Sequence, residues 1–392
     1  MTDLERLALL PAGLRDVLPP DAAHEARLVE GLLGAFARRG YQRVKPPLIE
    51  FEDSLLSGVG AAVTAATFRL MDPISQRMMG VRADITPQIA RIALTRLAGE
   101  PRPLRLSYAG EVLRVKGNQL RPERELPQVG AELIGGAAAA EAAGDAEIVA
   151  MAAEALRDAG LDRLSIDLTM PTFVPALCDG LGLDAEARAG LRAALDHKDA
   201  AAVAAIGGPA APMLVDLIAA TGPADGALAV LDGLDLPPPA AAERARLGEV
   251  VALIRAAAPW VSLTVDPVEH RGFEYHAGVA FAIYAAGVRG EIGGGGRYRA
   301  SYGGHYSEAA TGVTLYVDTI LAALAPPAAE RRVFVPLDAS ADAAAALRAQ
   351  GWITVAGLVP AADAAAEARR LKCDHVLSGG AAVPLAAAAR KG

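Results

Sequence analysis

Two neighbouring stretches decide the fold: LRLSYAGEVLRV (residues 104–115) and ELPQVGAELIGG (residues 125–136), joined by the polar run at 116–124. Both read as strands, and a period of two sorts the second into two faces. Leu126, Gln128, Gly130 and Glu132 share one face; Pro127, Val129, Ala131 and Leu133 share the other. Gln128 and Glu132 therefore point the same way, roughly 13 Å apart along the strand. On the first strand Arg114 falls on the face of Tyr108, Gly110 and Val112. The pattern predicts a sheet with one apolar face against helices and one polar face lining a cleft. A solvated strand face gives the same alternation, and periodicity alone does not choose between them.

Outward from this hairpin, residues 21–40 predict a helix with Asp21 as N-cap, apolar residues Leu28, Leu32, Leu33 and Phe36 at helical spacing, and Gly40 as its terminator. Residues 41–51 are extended, since Pro46 and Pro47 rule out a helix. Thr86-Pro87 opens another helix, with Thr86 as the capping hydroxyl. An alanine-rich helix over 145–160 and a strand over 163–170 follow. The texture then changes, from about 171 to 259, to an alanine- and leucine-rich helical insertion broken by Gly-Gly-Pro and by Pro237–Pro239. Strand character returns at 262–266, and a second hairpin is expected from 273–285 against 288–294. Three short strands with helices between them, over 331–392, look like a small α/β appendage. The expected organisation is a core in two parts, 1–170 and 260–326, the insertion between them and the appendage after them. Hairpins separated by long insertions, in place of regular βαβ alternation, indicate an α+β fold on an antiparallel sheet.

Bulk properties exclude several classes. The chain has 392 residues and a formal net charge of −8, which argues against a general nucleic-acid binder. Hydrophobic content is 53% with aromatics at 4%, so alanine carries the excess. No stretch reaches the ~18 apolar residues of a spanning helix. Asp3, Glu5 and Arg6 leave no apolar signal-peptide core, and a cytoplasmic location is expected. Cys178 and Cys373 are far apart and suggest neither a disulfide framework nor a metal site. No HExxH, GxSxG or Walker sequence is present, so hydrolase and P-loop readings have nothing to rest on; no cofactor is expected.

Three further pieces suit the same cleft. Arg82-Ala-Asp84-Ile-Thr86 places a carboxylate and a hydroxyl just before a helix. His270-Arg271-Gly-Phe-Glu274-Tyr275-His276 places an arginine at a strand entrance, where simple exposure is the plain alternative. Gly293–Gly296, before Arg297-Tyr298, reads as a glycine run at a strand end, for which turn punctuation is the competing account.

Taken in order, these segments resemble class II aminoacyl-tRNA synthetases, specifically the histidyl enzymes, over about residues 10–324. PAGLRDVLP (11–19) is similar to that family's N-terminal signature, and residues 40–50, with Pro47, resemble motif 1, which builds the family's dimer interface. Residues 108–114 with Arg124, then 128–135, resemble motif 2 and the strand after it. Residues 271–275 and 294–298 resemble the two histidine-specific motifs. The resemblance implies a pocket in which Asp84 and Thr86 hold an α-amino group, Gln128 and Arg271 face the carboxylate, and Glu132 with Tyr298 face an imidazole. Arg114 and Tyr275 complete the candidate set. Asp84 stands where the family has a glutamate, and His276 where it has an imidazole-contacting tyrosine.

The departures from that family predict lost catalysis. Lys116 replaces a motif 2 glutamate that reads adenine, exchanging an acceptor for a cation. Asp318-Thr319 replaces the Glu-Arg pair that closes motif 3, and threonine supplies no guanidinium fork. Pro122 stands where a second arginine belongs. Adenylation depends on charge stabilisation of the transferring phosphates, and three of its parts are missing. The appendage resembles a shortened anticodon-binding domain with no basic surplus, so no tRNA partner is expected. A synthetase-like core stripped in this way is similar to the regulatory subunits of short-form ATP phosphoribosyltransferase. The resemblance implies a non-catalytic role in histidine biosynthesis, homodimers joined to the short catalytic subunit in a hetero-octamer, and histidine as effector.

Overall fold

A computed structural model describes residues 8–117, 121–136, 142–269, 276–303 and 306–385. The chain divides into two compact units, Met1–Ala325 and Pro326–Gly392.

The first unit is built on a nine-stranded sheet. In spatial order its strands are β1 (Gln42–Arg43), β5 (Leu104–Leu113), β6 (Glu125–Ile134), β12 (Tyr306–Tyr316), β11 (Gly293–Tyr302), β10 (His276–Ala285), β7 (Leu164–Thr169), β9 (Ser262–Asp266) and β8 (Gly222–Pro223). Pairing is antiparallel except for β1–β5 and β7–β9, which run parallel. A separate three-stranded sheet has the spatial order β2 (Ile49–Phe51), β4 (Met78–Val81) and β3 (Phe68–Met71).

The alternation of β6 is reproduced as two cores. Val129, Ala131 and Leu133 enter the large hydrophobic cluster with Ile148, Val149 and Met151 of the helix Ala142–Asp158 and Leu32 and Phe36 of the helix Asp21–Arg38. Leu126 and Ile134, on the opposite face, join a smaller cluster with Ile85, Ile89 and Ala93 at the helix Thr86–Thr95. Each of the larger aliphatic and aromatic side chains contributes about 1.5–3 kcal/mol on burial. Between Leu126 and Ile134 that second face carries Gln128, Gly130 and Glu132, and the cavity forms at this polar interruption.

The stretch between β7 and β9 folds into six helices whose buried residues, among them Leu191, Leu195, Leu214 and Leu217, belong to the same cluster as the sheet. It is therefore continuous with the core rather than a separate body. In the second unit β13 (Arg332–Val335) runs parallel to both β14 (Ile353–Ala356) and β15 (His375–Ser378), and β16 (Ala381–Pro384) closes the sheet antiparallel to β15. Val333, Val335 and Leu347 pack on one face, Phe334, Ala368 and Cys373 on the other.

Two local expectations need correction. Asp21 is the first helical residue and not the cap; Pro20 takes that place, and the carboxylate meets the positive end of the helix from its first turn. Gly40 does follow the helix in the left-handed region, at φ +85°. Thr86 does not cap its helix, because its hydroxyl is committed to Glu132; the Asp84 carboxylate accepts from the Ile85 amide at 2.7 Å instead. The glycine run at 293–296 stands at the start of a strand, as read, and is not turn punctuation. It lies inside β11 between β10 and β12, with Gly295 opposite Phe281 on one side and Val313 on the other. A methyl on Gly295 would sit 2.0 Å from the Gly312 carbonyl oxygen, so the strands close only around glycine there. Among the described residues no helix is long and apolar enough to cross a membrane.

Candidate functional site

The polar face of β6 opens into a cavity of roughly 270 Å³. At one end is Glu132, 1% exposed. Tyr298 of β11 donates its hydroxyl to Glu132 Oε2 at 2.9 Å, and Thr86 donates to Oε1 at 2.9 Å. Because the Thr86 proton is used there, Tyr108 donates to Thr86 at 3.2 Å and Thr314 to Tyr108 at 2.9 Å. Three hydroxyls thus line up, each donating toward the carboxylate. Glycines leave room for them: a methyl on Gly130 would lie 2.2 Å from the Tyr108 ring, and one on Gly312 would lie 1.8 Å from Glu132 Oε2.

Burial dominates the proton affinities. The Glu132 carboxyl is pushed up to about 8 by burial, against the hydrogen bonds of Tyr298 and Thr86, and the nearby Asp84 charge pushes the same way. Asp84 is itself raised by burial, with Arg114 and the Ile85 and Thr86 amides opposing. The Tyr108 hydroxyl is driven well above its usual range by burial and then by Glu132 and Asp84. Asp84, Glu132, Asp167 and Glu291 all line the cavity, and among the described residues Arg114 is the one arginine or lysine in its wall. Such a cavity suits a ligand bringing positive charge or N–H donors, with one anionic group for Arg114. Gln128 is 2% exposed and its Oε1 has no partner, an acceptor facing the cavity for such a donor.

Six of the eight residues picked from sequence converge on this one cavity: Asp84, Thr86, Arg114, Gln128, Glu132 and Tyr298. Arg271 and Tyr275 lie outside the described residues. His276, read from the resemblance as a replaced tyrosine, lines the same cavity. Sequence reasoning missed Asp167, Thr169, Glu291, Thr314 and Tyr316, which also line it. A signal existed for the first pair: Ile166 and Leu168 are fully buried in the large core, so the alternate positions of β7, Asp167 and Thr169, had to face elsewhere. Lys116 and Thr319 are not part of the wall. Asp145 and Arg297 form a buried ion pair of 2.7 Å that ties the helix Ala142–Asp158 to β11 behind the cavity. No group of three or more histidine, cysteine or acidic residues could hold a metal among the described residues.

The chain that builds this sheet and cavity matches a known protein family. The family model for histidyl-tRNA synthetase matches residues 13–320. A solved structure from Bacillus halodurans, titled ATP phosphoribosyltransferase regulatory subunit/histidyl-tRNA synthetase, superposes with a TM-score of 0.77 at 24% identity, covering 93% of this chain and 96% of that one. At that identity the likeness speaks for the fold. The molecule is thus an α+β protein of the histidyl-tRNA synthetase-like, class II type. Its sequence relatives are more particular. The ATP phosphoribosyltransferase regulatory subunit of Paramagnetospirillum magneticum is 58% identical over 377 residues, 96% of this chain and 98% of the relative. That of Rhodospirillum centenum is 59% identical over 375 residues, 95% of each. The chain belongs to the family of ATP phosphoribosyltransferase regulatory subunits.

Proposed function

We propose that this protein is a non-catalytic subunit that the short ATP phosphoribosyltransferase catalytic subunit needs for activity, and that histidine acts through it as feedback effector of histidine biosynthesis. In this reading homodimers join the catalytic subunit in a cytoplasmic hetero-octamer, and neither tRNA nor membrane is a partner. One observation carries the reading: a synthetase-like core keeps a buried Glu132, held by Tyr298 and Thr86, beside an unpartnered Gln128 acceptor. Glu132 accepts an imidazole N–H and Arg114 takes the carboxylate; Gln128, set beside the carboxylate by the resemblance, is assigned instead to the ammonium with Asp84, because its unpartnered Oε1 is an acceptor. Arg271 and Tyr275 belong to the same set by resemblance. Meanwhile Lys116 cannot accept from an adenine amine, and Thr319 supplies no guanidinium for a triphosphate. Feedback would then be a coupling free energy of about 1–3 kcal/mol between this cavity and an active site on the partner.

The test is reconstitution. The purified chain is mixed with the short catalytic subunit, co-elution is followed, and phosphoribosyl transfer is assayed with and without histidine. The expected result is activity that depends on this chain and is inhibited by histidine. In the Glu132→Ala protein the activation persists while histidine inhibition weakens at least tenfold. Histidine-dependent ATP–pyrophosphate exchange by the isolated chain would sink the non-catalytic reading. Undiminished inhibition with Glu132→Ala would move the effector site elsewhere.

A further inference from the structure

One member of the hydroxyl chain touches no ligand space. Tyr108 of β5 is fully buried and stands outside the cavity lining, yet it joins Thr86 to Thr314, which both belong to that lining. The register of the sheet explains the span. Tyr108 faces Gly130 of β6, and Gly130 faces Thr314 of β12, so the three make one cross-strand row. β5 and β12 lie about 10 Å apart, two strand spacings, and a tyrosine on one reaches the other only across an empty middle place. A methyl on Gly130 would run into the Tyr108 hydroxyl. The next row sets Leu106, Glu132 and Gly312 side by side, which puts the carboxylate beside the relay. Around the carboxylate stand Tyr298 of β11, Thr86 and Asp84 at the entry to the helix Thr86–Thr95, and Tyr108; Arg114 lines the same cavity. In the large core on the opposite face of the sheet, Tyr41 is raised by burial and Glu147, and in smaller part by Glu132.

We propose that Tyr108 is a positioning residue for ligand recognition, the middle of a reversible relay through which Thr314 presents to the cavity the ionisation state of Glu132. Its role in recognition rests on the amino-acid reading of the cavity, but the relay itself is a property of the chain without ligand. The ionised carboxylate draws every proton toward itself. Thr86 donates to Oε1, Tyr108 to Thr86, and Thr314 to Tyr108, which leaves Thr314 a lone pair for the cavity. The protonated carboxyl reverses the chain. Tyr298 still donates to Oε2, so the proton sits on Oε1 and is offered to Thr86. Thr86 then donates to Tyr108, Tyr108 to Thr314, and the Thr314 proton turns to the cavity. Only hydroxyl rotations are needed, and every oxygen stays where it is. A ligand bringing N–H groups to both Glu132 and Thr314 therefore selects the ionised state at both places together, since hydroxyls bonded in series polarise one another. Removing the Tyr108 hydroxyl uncouples the two places and withdraws a donor that favours the ionised carboxylate.

The experiment uses the full chain, and its first readout needs no ligand. Carboxyl-carbon NMR with isotopically labelled glutamate follows Glu132 through its titration, its signal identified by loss in Glu132→Gln. Tyr108→Phe keeps the ring and loses the hydroxyl, and the midpoint is expected to rise by about half to one pH unit. Neutral pH lies below the midpoint of about 8. Each pH unit of rise there cuts the ionised fraction about tenfold, so L-histidine affinity at pH 7, read by calorimetry, should fall about threefold to tenfold. Thr314→Val should move the midpoint the same way by less. The double variant separates a relay from a merely structural tyrosine: in a relay Thr314→Val adds nothing once Tyr108→Phe is present, whereas independent effects add. Circular dichroism melts establish that each variant is folded. An unmoved midpoint in folded Tyr108→Phe, or additive shifts in the double variant, overturns the relay. If Tyr108→Phe does not fold, Thr314→Val decides, and an unmoved midpoint there overturns it equally. Midpoints that move as expected in a protein that ignores histidine would defeat the amino-acid reading and leave the relay standing.

Discussion

At pH 6 the Glu132 carboxyl holds its proton in the folded chain and has lost it in the unfolded one, because burial raises it from 4.5 to about 8. Between those values the native state binds the extra proton, so stability falls as pH rises, at about 1.4 kcal/mol per pH unit for a fully coupled group. Glu132→Gln keeps an acceptor for one hydroxyl and cannot ionise. The variant's melting temperature is therefore expected to gain on the parent's by several degrees between pH 5.5 and pH 8, read by calorimetry without ligand. Parallel melting profiles would show that this carboxyl does not titrate in the window. Glu111, pushed up to about 7 by burial and by Glu25 and Glu125, slopes the same way in both proteins and cancels in the difference. The position of Glu132 on the inner face was legible from the period of β6. Its proton affinity was not, since that depends on Tyr298, Thr86 and Asp84 arriving from other elements.

Strands and helices place these groups, and glycine decides how closely they approach. Gly312 of β12 faces Glu132, where a methyl would lie 1.8 Å from the carboxylate. Gly312→Ala should cost about 1–3 kcal/mol by overpacking and displace the carboxylate. Urea unfolding and histidine titration measure both consequences, and a variant that melts and binds like the parent would refute this account. Gly248, inside the helix Pro238–Ala257 with open space around it, is the contrast. Gly248→Ala should stabilise by about 0.5–1 kcal/mol through helix propensity and restriction of the unfolded chain. At this scale sequence reasoning located β5, β6 and β7 and put the run at 293–296 at a strand end, with turn punctuation as the competing account. Glycine marks turns and close strand contacts alike, and only the neighbours β10 and β12 distinguish them. The same holds for Thr86, whose hydroxyl could cap a helix or meet a carboxylate 46 residues further along the chain.

Across the whole molecule, all the described cavity residues belong to the unit Met1–Ala325, which has its own large core. The unit Pro326–Gly392 closes its sheet with four strands and packs two small clusters of its own. Residues 1–325 expressed alone should fold cooperatively and bind histidine within about threefold of the full chain; a fragment that is unfolded or does not bind would tie the cavity to the second unit. The sequence by itself determined the hairpin periodicity, the order of the elements, six of the cavity residues and the substitutions at Lys116 and Thr319. These are local properties: alternation follows from backbone geometry, and side-chain chemistry from residue identity. Only the tertiary structure decided that Asp167 and Glu291 share a wall with Glu132, that Thr86 serves the cavity instead of its helix, and that Tyr108 joins Thr86 to Thr314. Those facts depend on contacts between residues distant in the chain, where burial changes both the charge a group carries and the partner it takes.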